Sequence, residues 1–471
     1  MMKNFNDYIG LFADHYEFTM AQGYFLDGRE SCPACFDYFF RKNPFDSGYT
    51  VFAGLYDLLE MITQFKFNDD SIDHLKKTGF NDEFLDYLKK FSFSGNIVAP
   101  KEGEIVFCNE PIVHVEGNII ETQLIESLLL NMLNFQSLIA TKGSRLRRSA
   151  GNRDLVDYGL RRAQGLSAIH ASKAAIIGGV NSTSNVYSSF AFGISSSGTQ
   201  AHSWIQSYPD ELTAFRKFAK AFPQKCVLLV DTNNTLNSGV PNAIIVAKEM
   251  EKRGKKLYAI RLDSGDLAYL SKKARDILDE ANLNYVKIIA SNQLNEHLIK
   301  SLIEQGAPID AFGVGTNLIT GQCDAALDGV YKLSMIDNKP TLKLTENIDK
   351  ISLPGVKKIF RYYNSEGKFY ADGILLDDEK NIREICHPLQ SNKSTEVDEL
   401  KKEELMEKVM EKGEIKIENK SVKEISEYVK HRLTLLPEEH KRFENPHLYK
   451  IGISTKLFEL RIKLIEKFHQ R

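Results

Sequence analysis

Short apolar runs alternate with segments of helical spacing through the middle of the chain. The apolar runs predict strands at 155–158, 185–187, 226–231, 257–262, 286–290 and 311–315. The segments between them predict helices at 165–177, 241–252, 267–281 and 296–305. Repeated units of a buried strand and a helix indicate a parallel sheet, either doubly wound or closed into a barrel.

The N-terminal part of the chain has a mixed pattern. Helical spacing predicts helices at 11–25, 55–63 and 81–90, and a strand-like stretch lies at 34–40. Three short β-type runs follow, at 97–98, 104–107 and 112–115, separated by Gly103 and Pro111. These runs predict a small sheet that closes the first region.

Charge patterning identifies further helices. A long helix is predicted from 121 to 150, because it begins with acidic and ends with basic residues, as the helix dipole favours. Lys and Glu recur in 391–430 at spacings that predict solvent-exposed helices. We therefore divide the chain into an N-terminal α/β region (1–120), an α/β barrel (121–345) and a C-terminal α/β and helical region (346–471).

Composition narrows the classes of protein. The 471 residues are 42% hydrophobic, enough for a large core, and the 61 basic and 63 acidic residues leave a formal charge of -2. The chain therefore lacks the basic surplus typical of nucleic-acid binding proteins. No apolar run approaches the roughly 18 residues of a membrane span, and no secretion signal is evident at the N-terminus, so we expect a cytoplasmic protein without a membrane partner.

Six cysteines are too few for a disulfide framework in a chain of this length. Cys32 and Cys35 have the spacing of half a zinc site, but no second close pair completes four ligands. We interpret both cysteines as structural.

Polar residues follow each predicted strand of the parallel sheet. They include Tyr158 to Gly165, Asn181 to Ser184, Asp231 to Thr235, Arg261 to Asp266, Ser291 to Gln293 and Gly313 to Asn317. Both candidate architectures place their chemistry at the carboxyl ends of the strands. Arginines, carboxylates and glycines at these ends predict a pocket for an anionic ligand and for a metal held by oxygen ligands.

Two strand ends suggest a more specific chemistry. Gly313 to Thr316 offers backbone N–H groups and a hydroxyl suited to a phosphate, although a plain turn also explains the glycines. Arg261 and Asp263 lie two residues apart in a strand, so their side chains point the same way. A cation and a carboxylate converging there suit a ribose that carries phosphates. Ser264 or Asp266 has a simpler explanation, as the cap of the helix that begins at Leu267.

The segment Gly198 to Trp204 places His202 where a small-residue loop meets a helical pattern that continues from 205 to 222. His202 is a general base, a phosphoryl acceptor or a buried structural residue. The histidine taken alone favours the structural interpretation.

Ordered motifs over 11–464 resemble one family, the nicotinate phosphoribosyltransferases. The segments that carry the resemblance are Asp14 to Met20, Arg41 to Phe45, Tyr158 to Gly165, Gly198 to Trp204, Leu228 to Thr232, Arg261 to Asp266, Phe312 to Thr316, Leu436 to Lys441 and Asn445 to His447. The resemblance implies an irregular phosphoribosyltransferase-type α/β barrel with an N-terminal α/β region packed against it. It also implies a homodimer, and a reaction of nicotinate with 5-phosphoribosyl 1-diphosphate coupled to ATP hydrolysis, in NAD salvage.

The resemblance implies a role for individual residues. His202 corresponds to a phosphorylated histidine, and Tyr16 and Tyr158 to aromatic residues that sandwich the pyridine ring. Arg161 lies beside the nicotinate and phosphate groups. The ribose and diphosphate would be held with Mg²⁺ by Arg261, Asp263, Ser264, Gly265 and Asp266, with Asp263 and Asp266 as the metal ligands. The remaining substrate contacts are Thr199 and Asp231, with Gly315 and Thr316 on the 5-phosphate.

Two rival functions remain. Nicotinamide-using relatives place an aspartate in the segment that corresponds to 182–185, and Ser184 occupies that position here. A carboxylate there would repel nicotinate, so the serine favours nicotinate over nicotinamide. A catalytically silent pyridine-nucleotide binder is the other rival, and the presence of His202, Arg261 and Asp263 argues against it.

Overall fold

The structure, a computed structural model, describes residues 3–344, 352–388, 390 and 393–469. Its α-helices are α1 (His15–Leu26), α2 (Leu55–Thr63), α3 (Asp69–Lys77), α4 (Asp82–Lys89), α5 (Ile119–Leu124), α6 (Glu126–Ala150), α7 (Ser167–Ile177), α8 (Val186–Phe192), α9 (His202–Gln206), α10 (Glu211–Ala221), α11 (Val240–Glu251), α12 (Leu267–Glu280), α13 (Glu296–Glu304), α14 (Thr316–Ile319), α15 (Val422–Leu435) and α16 (Thr455–His469). Within these residues, every helix is too short or too polar to span a bilayer.

The strands alternate with these helices in the middle of the chain and cluster towards its two ends. They are β1 (Pro33–Phe40), β2 (Thr50–Val51), β3 (Asn96–Ala99), β4 (Ile105–Val106), β5 (Val113–Asn118), β6 (Asp154–Asp157), β7 (Ser182–Thr183), β8 (Val227–Leu229), β9 (Ala259–Leu262), β10 (Lys287–Ala290), β11 (Ala311–Val314), β12 (Gly329–Ile336), β13 (Lys339–Pro340), β14 (Lys357–Tyr363), β15 (Phe369–Leu376), β16 (Glu384–Cys386), β17 (Ser394–Glu396), β18 (Lys401–Glu404), β19 (Glu407–Glu411), β20 (Glu414–Ile415) and β21 (Lys450–Ile453). The predicted mixed α/β fold class is confirmed.

The chain forms two compact units. The first contains residues up to Leu138, Ala326–Lys420 and the residues from Tyr428 onwards, and the second contains Ile139–Ala325 and Ser421–Glu427. Both terminal regions of the predicted three-part division contribute to the first unit. The boundaries predicted at 120 and 345 stay a prediction.

The second unit contains the parallel sheet predicted from the sequence. Its six strands lie in the order β7-β6-β11-β10-β9-β8, and each neighbouring pair is parallel. One layer of its apolar interior takes a side chain from each of four strands, namely Val227, Ala259, Ile289 and Ala311. Among the described residues no ladder joins the outermost strands β7 and β8, so the barrel is irregular.

One strand prediction in this unit is wrong. Residues 185–187 do not form a strand, because β7 ends at Thr183 and α8 begins at Val186. The Asn185 side chain accepts a hydrogen bond from the Ser188 N–H and so caps α8. This local capping bond starts a helix where the apolar pattern alone predicted an extended chain.

The helix predicted over 205–222 is also interrupted. It is divided into α9 and α10, with Pro209 between them. The Asp210 carboxylate caps α10 by accepting from the Thr213 N–H at 2.8 Å. A residue before proline avoids helical geometry, and Asp210 then starts a new helix, so the break follows from local chemistry.

The described part of the predicted helical tail contains strands before its helix. Strands β17 to β20 occupy most of 394–415, and α15 begins only at Val422. The prediction of helices over that stretch is wrong because tertiary pairing decides it: β18 pairs with β14, and β19 pairs with β3.

The described residues of the first unit form three sheets. Seven strands lie in the order β13-β12-β1-β5-β3-β19-β20, six in the order β17-β16-β21-β15-β14-β18, and two in the order β2-β4. Its largest apolar core takes side chains from β1 and from helices α1 to α5. Strands from both ends of the chain therefore share sheets in this unit.

A buried arginine joins distant parts of the first unit. Arg361 of β14 is fully buried, and its guanidinium donates to Glu104 at 2.7 Å and to Asp372 at 2.6 Å. It also donates to the Ile105 carbonyl oxygen at 2.8 Å. Both carboxylates are buried and thus have a cation where an unpaired charge is strongly unfavourable.

Further residues complete this network. Glu104 also accepts from Arg432 at 2.8 Å and from the Tyr428 hydroxyl at 2.5 Å. Burial, together with the Asp372 carboxylate beside it, raises the pKa of Glu110 well above its ordinary value. A protonated Glu110 avoids placing a third negative charge beside Asp372.

Replacing Arg361 tests the importance of this network. We expect Arg361→Met to lower the free energy of unfolding by about 3–5 kcal/mol, because two buried carboxylates lose their cation. The matched control is Arg383→Met, whose ion pair with Glu396 is exposed, and it should cost less than about 1 kcal/mol. Urea unfolding followed by circular dichroism measures both, and equal losses would contradict this account.

Candidate active site

Polar residues that follow neighbouring strands of the second unit contact one another. Asp263, after β9, accepts from the Ser291 hydroxyl, after β10, at 2.5 Å. The Asp263 N–H donates to Asp231, after β8, at 2.7 Å. The Tyr158 N–H, after β6, donates to the Val314 carbonyl oxygen at 2.8 Å. The carboxyl ends of the strands therefore form one polar site, as the sequence predicted.

His202 is the first residue of α9, and its two ring nitrogens face different groups. Nδ1 lies 3.0 Å from the Thr232 hydroxyl, within hydrogen-bond distance. Nε2 lies 3.8 Å from the Asp263 carboxylate, too far for a hydrogen bond. The side chain is 41% exposed, so the ring is accessible to a ligand. The buried structural interpretation of His202 does not fit this environment.

Asp231 organises the loop after β9. Its Oδ2 accepts from the Asp263 N–H and from the Ser264 hydroxyl at 2.6 Å. Its Oδ1 is buried and has no hydrogen-bond partner among the described residues. A buried carboxylate oxygen normally has a partner, so this atom is suited to a ligand hydroxyl or a cation.

Arg261 carries a positive charge that the described residues leave uncompensated. One terminal nitrogen donates to the Gln200 carbonyl oxygen at 3.1 Å, and the guanidinium lies 5.9 Å from the Tyr158 ring centre. No carboxylate lies within ion-pair distance in the described parts of the chain, and the buried Nε has no acceptor. A partly buried, unpaired guanidinium is suited to binding an anion.

A glycine determines where the Tyr158 ring lies. A β-carbon at Gly313 would lie 2.3 Å from two ring carbons of Tyr158, so only glycine lets the ring pack against β11 in this position. Burial raises the pKa of the Tyr158 phenol, and the nearby Arg261 opposes this rise. Gly313 thus has a steric role in addition to the phosphate contact that the sequence suggested for its loop.

Asp157 is a residue that the sequence reasoning missed. It is fully buried at the end of β6, and its carboxylate accepts from the Gly159 N–H, the Ser172 hydroxyl and the Thr183 hydroxyl at 2.7–2.8 Å. Its carbonyl oxygen accepts from the Ser184 N–H at 2.7 Å. Burial raises its pKa, and these hydrogen bonds favour the carboxylate. Asp157 therefore fixes Gly159, the residue after Tyr158, and the backbone of Ser184. The sequence signal for it was a carboxylic acid inside the apolar run 155–158.

The loop after β9 has a capping role as well. Asp266 accepts from the Tyr269 N–H at 3.0 Å and is the N-cap of α12, which was the simpler explanation from sequence. Gly265 has a positive φ of 76°, a backbone conformation that favours glycine. Metal binding by Asp263 and Asp266 stays a prediction.

The remaining predicted site residues of the second unit lie in loops at the same ends of the strands. Gly315 and Thr316 begin the short α14, and Arg161 is exposed in the turn Leu160–Arg162. The Thr199 hydroxyl lies 3.4 Å from the Gln200 carbonyl oxygen, and the Ser184 hydroxyl has no partner among the described residues. Their roles as ligand contacts stay predictions.

Tyr16 belongs to the first unit. It lies on α1 and is 45% exposed. Burial, and then the negative charges of Glu126 and Glu17, raise the pKa of the phenol. The expected sandwich of a ligand between Tyr16 and Tyr158 stays a prediction.

A second cluster of chemistry-bearing residues lies in the first unit. Cys35, Asp37 and His114 are buried, with ligand atoms within 4.8 Å of one another. The Lys357 ammonium lies 2.8 Å from Asp37, and Asp37 also pairs with His114. Lys357 already supplies the positive charge that a metal would bring, so this cluster is explained as a buried ion-pair network.

A cavity of about 1080 Å³ also lies in the first unit. Its lining includes the basic side chains of Arg41, Lys393, Lys450 and Arg461. Arg41 comes from one of the motifs that carry the family resemblance.

Comparison with known sequences identifies the family of this chain. The nicotinate phosphoribosyltransferase (NAPRTase) N-terminal domain matches residues 11–134, the NAPRTase family matches 153–350, and the C-terminal domain matches 356–461. A nicotinate phosphoribosyltransferase from Bacillus subtilis (strain 168) is 43% identical over 478 residues, covering 99% of this chain and 97% of the relative. One from Dictyostelium discoideum is 37% identical, covering 95% and 87%.

Comparison with solved structures supports the same assignment. The crystal structure of human nicotinic acid phosphoribosyltransferase matches with a TM-score of 0.87 and 28% identity, covering 96% of this chain and 99% of that chain. The fold and the polar ends of the parallel strands thus define an α/β enzyme of the phosphoribosyltransferase class. Within that class, the chain belongs to the nicotinate phosphoribosyltransferase family.

The packing of Tyr158 on Gly313 is directly testable. We expect Gly313→Ala to displace the ring and to lower the free energy of unfolding by about 1–3 kcal/mol, as overpacking does. Gly23→Ala in α1 is the matched control, because nothing lies within 4 Å of its added β-carbon. It should be neutral or slightly stabilising. Urea unfolding of both variants is the measurement, and equal stability would show that the ring does not need this glycine.

Proposed function

We propose that the chain transfers the 5-phosphoribosyl group of 5-phosphoribosyl 1-diphosphate to nicotinate. The pyridine nitrogen forms a bond to C1′ of the ribose, and the bond from C1′ to the diphosphate oxygen breaks. Diphosphate leaves with the electron pair of that bond, and nicotinate mononucleotide forms. Family membership supports this reaction and a role in NAD salvage.

The unpaired guanidinium of Arg261 is the observation that carries the proposal. It lies between the Tyr158 ring and the loop that bears His202, at the ends of the strands where Asp263 also lies. A leaving diphosphate accumulates negative charge in the transition state, and a preorganised cation stabilises that charge. Tyr158 would stack on the pyridine ring next to the same cation.

His202 would act as a phosphoryl acceptor. If Nδ1–H donates to the Thr232 hydroxyl, Nε2 keeps its lone pair and is the nucleophile. Nε2 then attacks the γ-phosphorus of ATP, ADP leaves, and water later cleaves the N–P bond to release phosphate. The 41% exposure of the side chain leaves room for this approach.

The acidic residues beside His202 fit a Mg²⁺ ion. Asp263 and the unpartnered Oδ1 of Asp231 offer hard oxygen ligands, and Asp266 is a further candidate next to them. Bound Mg²⁺ would neutralise part of the charge on the diphosphate. ATP and Mg²⁺ therefore belong to the proposal as cosubstrate and metal cofactor.

A homodimer is the remaining part of the proposal. Exposed apolar side chains lie in and before α8, at Leu160, Leu166, Val186, Tyr187 and Phe190. Such surface is common where a second subunit binds.

A diphosphate-release assay tests the function and the role of His202 together. The wild type should release diphosphate with nicotinate and should hydrolyse ATP in step with it. His202→Ala should abolish the nicotinate-dependent ATP hydrolysis but leave slow synthesis without ATP, because separate residues bind the ribosyl donor.

His431→Ala, an exposed position in α15 outside the site, is the matched control and should behave as the wild type. Unchanged ATP hydrolysis in His202→Ala would exclude the phosphoryl-acceptor role. Ligand binding without any diphosphate release would identify the silent pyridine-nucleotide binder instead.

Ser184 is proposed to select the pyridine. Its backbone is fixed beside Tyr158 by the hydrogen bond to the Asp157 carbonyl oxygen. Its partly buried hydroxyl can donate to the carboxylate of nicotinate, whereas an aspartate there would place two negative charges together.

Ser184→Asp should therefore reduce kcat/KM for nicotinate and raise the relative use of nicotinamide. We expect the ratio of the two kcat/KM values to change by at least tenfold, about 1.4 kcal/mol. Ser203→Asp, an exposed serine in α9, introduces the same charge as a control. A ratio within about threefold of the wild type would show that residue 184 does not sense the carboxylate.

A further inference from the structure

Gln200 lies in the segment that occupies the open side of the barrel. Residues 195–197 run beside β7: the Thr183 N–H donates to the Ser195 carbonyl oxygen at 3.0 Å, and the Ser197 N–H donates to the Thr183 carbonyl oxygen at 2.9 Å. The Gln200 side-chain amide then donates to the Val227 carbonyl oxygen of β8 at 3.2 Å. Residues 195–200 thus connect the two outermost strands, which no ladder joins in the part of the chain that the structure describes.

The geometry of the Gln200 amide is determined by its surroundings. The side chain is 6% exposed, and a carbonyl oxygen accepts only from the NH₂ group, so Nε2 must face Val227. This orientation leaves Oε1 buried without a hydrogen-bond partner among the described residues. In the described residues the side-chain amide therefore makes one hydrogen bond, the one to Val227.

The backbone of Gln200 holds the key cation of the site. Its carbonyl oxygen accepts from the Arg261 guanidinium at 3.1 Å, and this is the only hydrogen bond from that guanidinium to a backbone atom in the described part of the chain. Two residues later in the same segment, His202 begins α9. A single short segment therefore carries both the proposed phosphoryl acceptor and the acceptor that orients Arg261.

We propose that Gln200 is a positioning residue that couples His202 to Arg261. Its side chain anchors the segment to β8, and its carbonyl oxygen fixes the guanidinium at the site of the ribosyl donor. When His202 is phosphorylated, the added charge and bulk act on this anchored segment and so on the position of Arg261. This inference rests on the proposed function and names the route by which ATP would improve binding of 5-phosphoribosyl 1-diphosphate.

Removing the hydrogen bond from the Gln200 side chain to Val227 should uncouple phosphorylation of His202 from the binding of 5-phosphoribosyl 1-diphosphate. In Gln200→Met, which keeps the length of the side chain but lacks a donor, we expect the KM for 5-phosphoribosyl 1-diphosphate to rise about tenfold. The decrease in that KM on adding ATP should shrink to less than about twofold, with phosphate incorporation into His202 nearly unchanged. Gln206→Met, an exposed position in α9, is the matched control and should keep the wild-type response to ATP.

Gln200→Asn provides a second variant if the methionine protein does not fold. It keeps the amide but is one methylene shorter, so it should lose the reach to Val227 and show the same uncoupling. A full ATP response in both variants would overturn the inference, as would a fall in kcat with an unchanged KM ratio. A wild-type KM that does not respond to ATP would also overturn the inference. A wild type that releases no diphosphate with nicotinate, or that takes up no phosphate from ATP, would instead contradict the proposed function, so the two failures are distinguishable.

Discussion

The candidate active site of the second unit depends on the hydrogen bonds that the buried carboxylate of Asp157 accepts. Three donors from three segments hydrogen-bond to one buried acid, and its carbonyl oxygen accepts from Ser184, next to the third donor Thr183. Because the described residues provide no cation for Asp157, hydrogen bonds alone stabilise its carboxylate in the interior. The loops after β6 and β7 are therefore ordered before any ligand arrives, which is the preorganisation that catalysis by charge stabilisation requires.

The alternation of strands and helices in the middle of the chain was predictable because the β-strands from β8 to β11 are mostly apolar and buried, with Arg261 and Lys287 as their charged residues. The errors arose where a local hydrogen bond or a distant partner decided the structure. Asn185 starts a helix by capping, and the Lys- and Glu-rich tail becomes strands because β14 and β3 offer edges to pair with. A single sequence shows neither the partner strand nor its register.

The sequence pointed to the polar residues of the candidate site but not to the residues that support them. Arg261 and Asp263 stood out because charged groups at strand ends have few structural explanations, whereas His202 was assigned a role only through the family resemblance. Asp157 and Gln200 did not, since their importance lies in which backbone groups they reach, and those groups become neighbours only in the folded chain. The steric demand of the Tyr158 ring on Gly313 was likewise invisible, because a glycine after a strand is common.

The Arg361 network has a consequence for how the protein is synthesised. Glu104 emerges from the ribosome more than 250 residues before its partner arginine, whose hydrogen bond to it spans 257 positions. Until the later segments arrive, the burial of Glu104 would leave a charge uncompensated, so the N-terminal segments cannot settle into their final core early. The barrel, whose strands are nearly contiguous in the chain, is free to fold first and to remain attached to an unfinished neighbour. A chaperone that shields apolar surface would be most useful to the N-terminal segments during that interval.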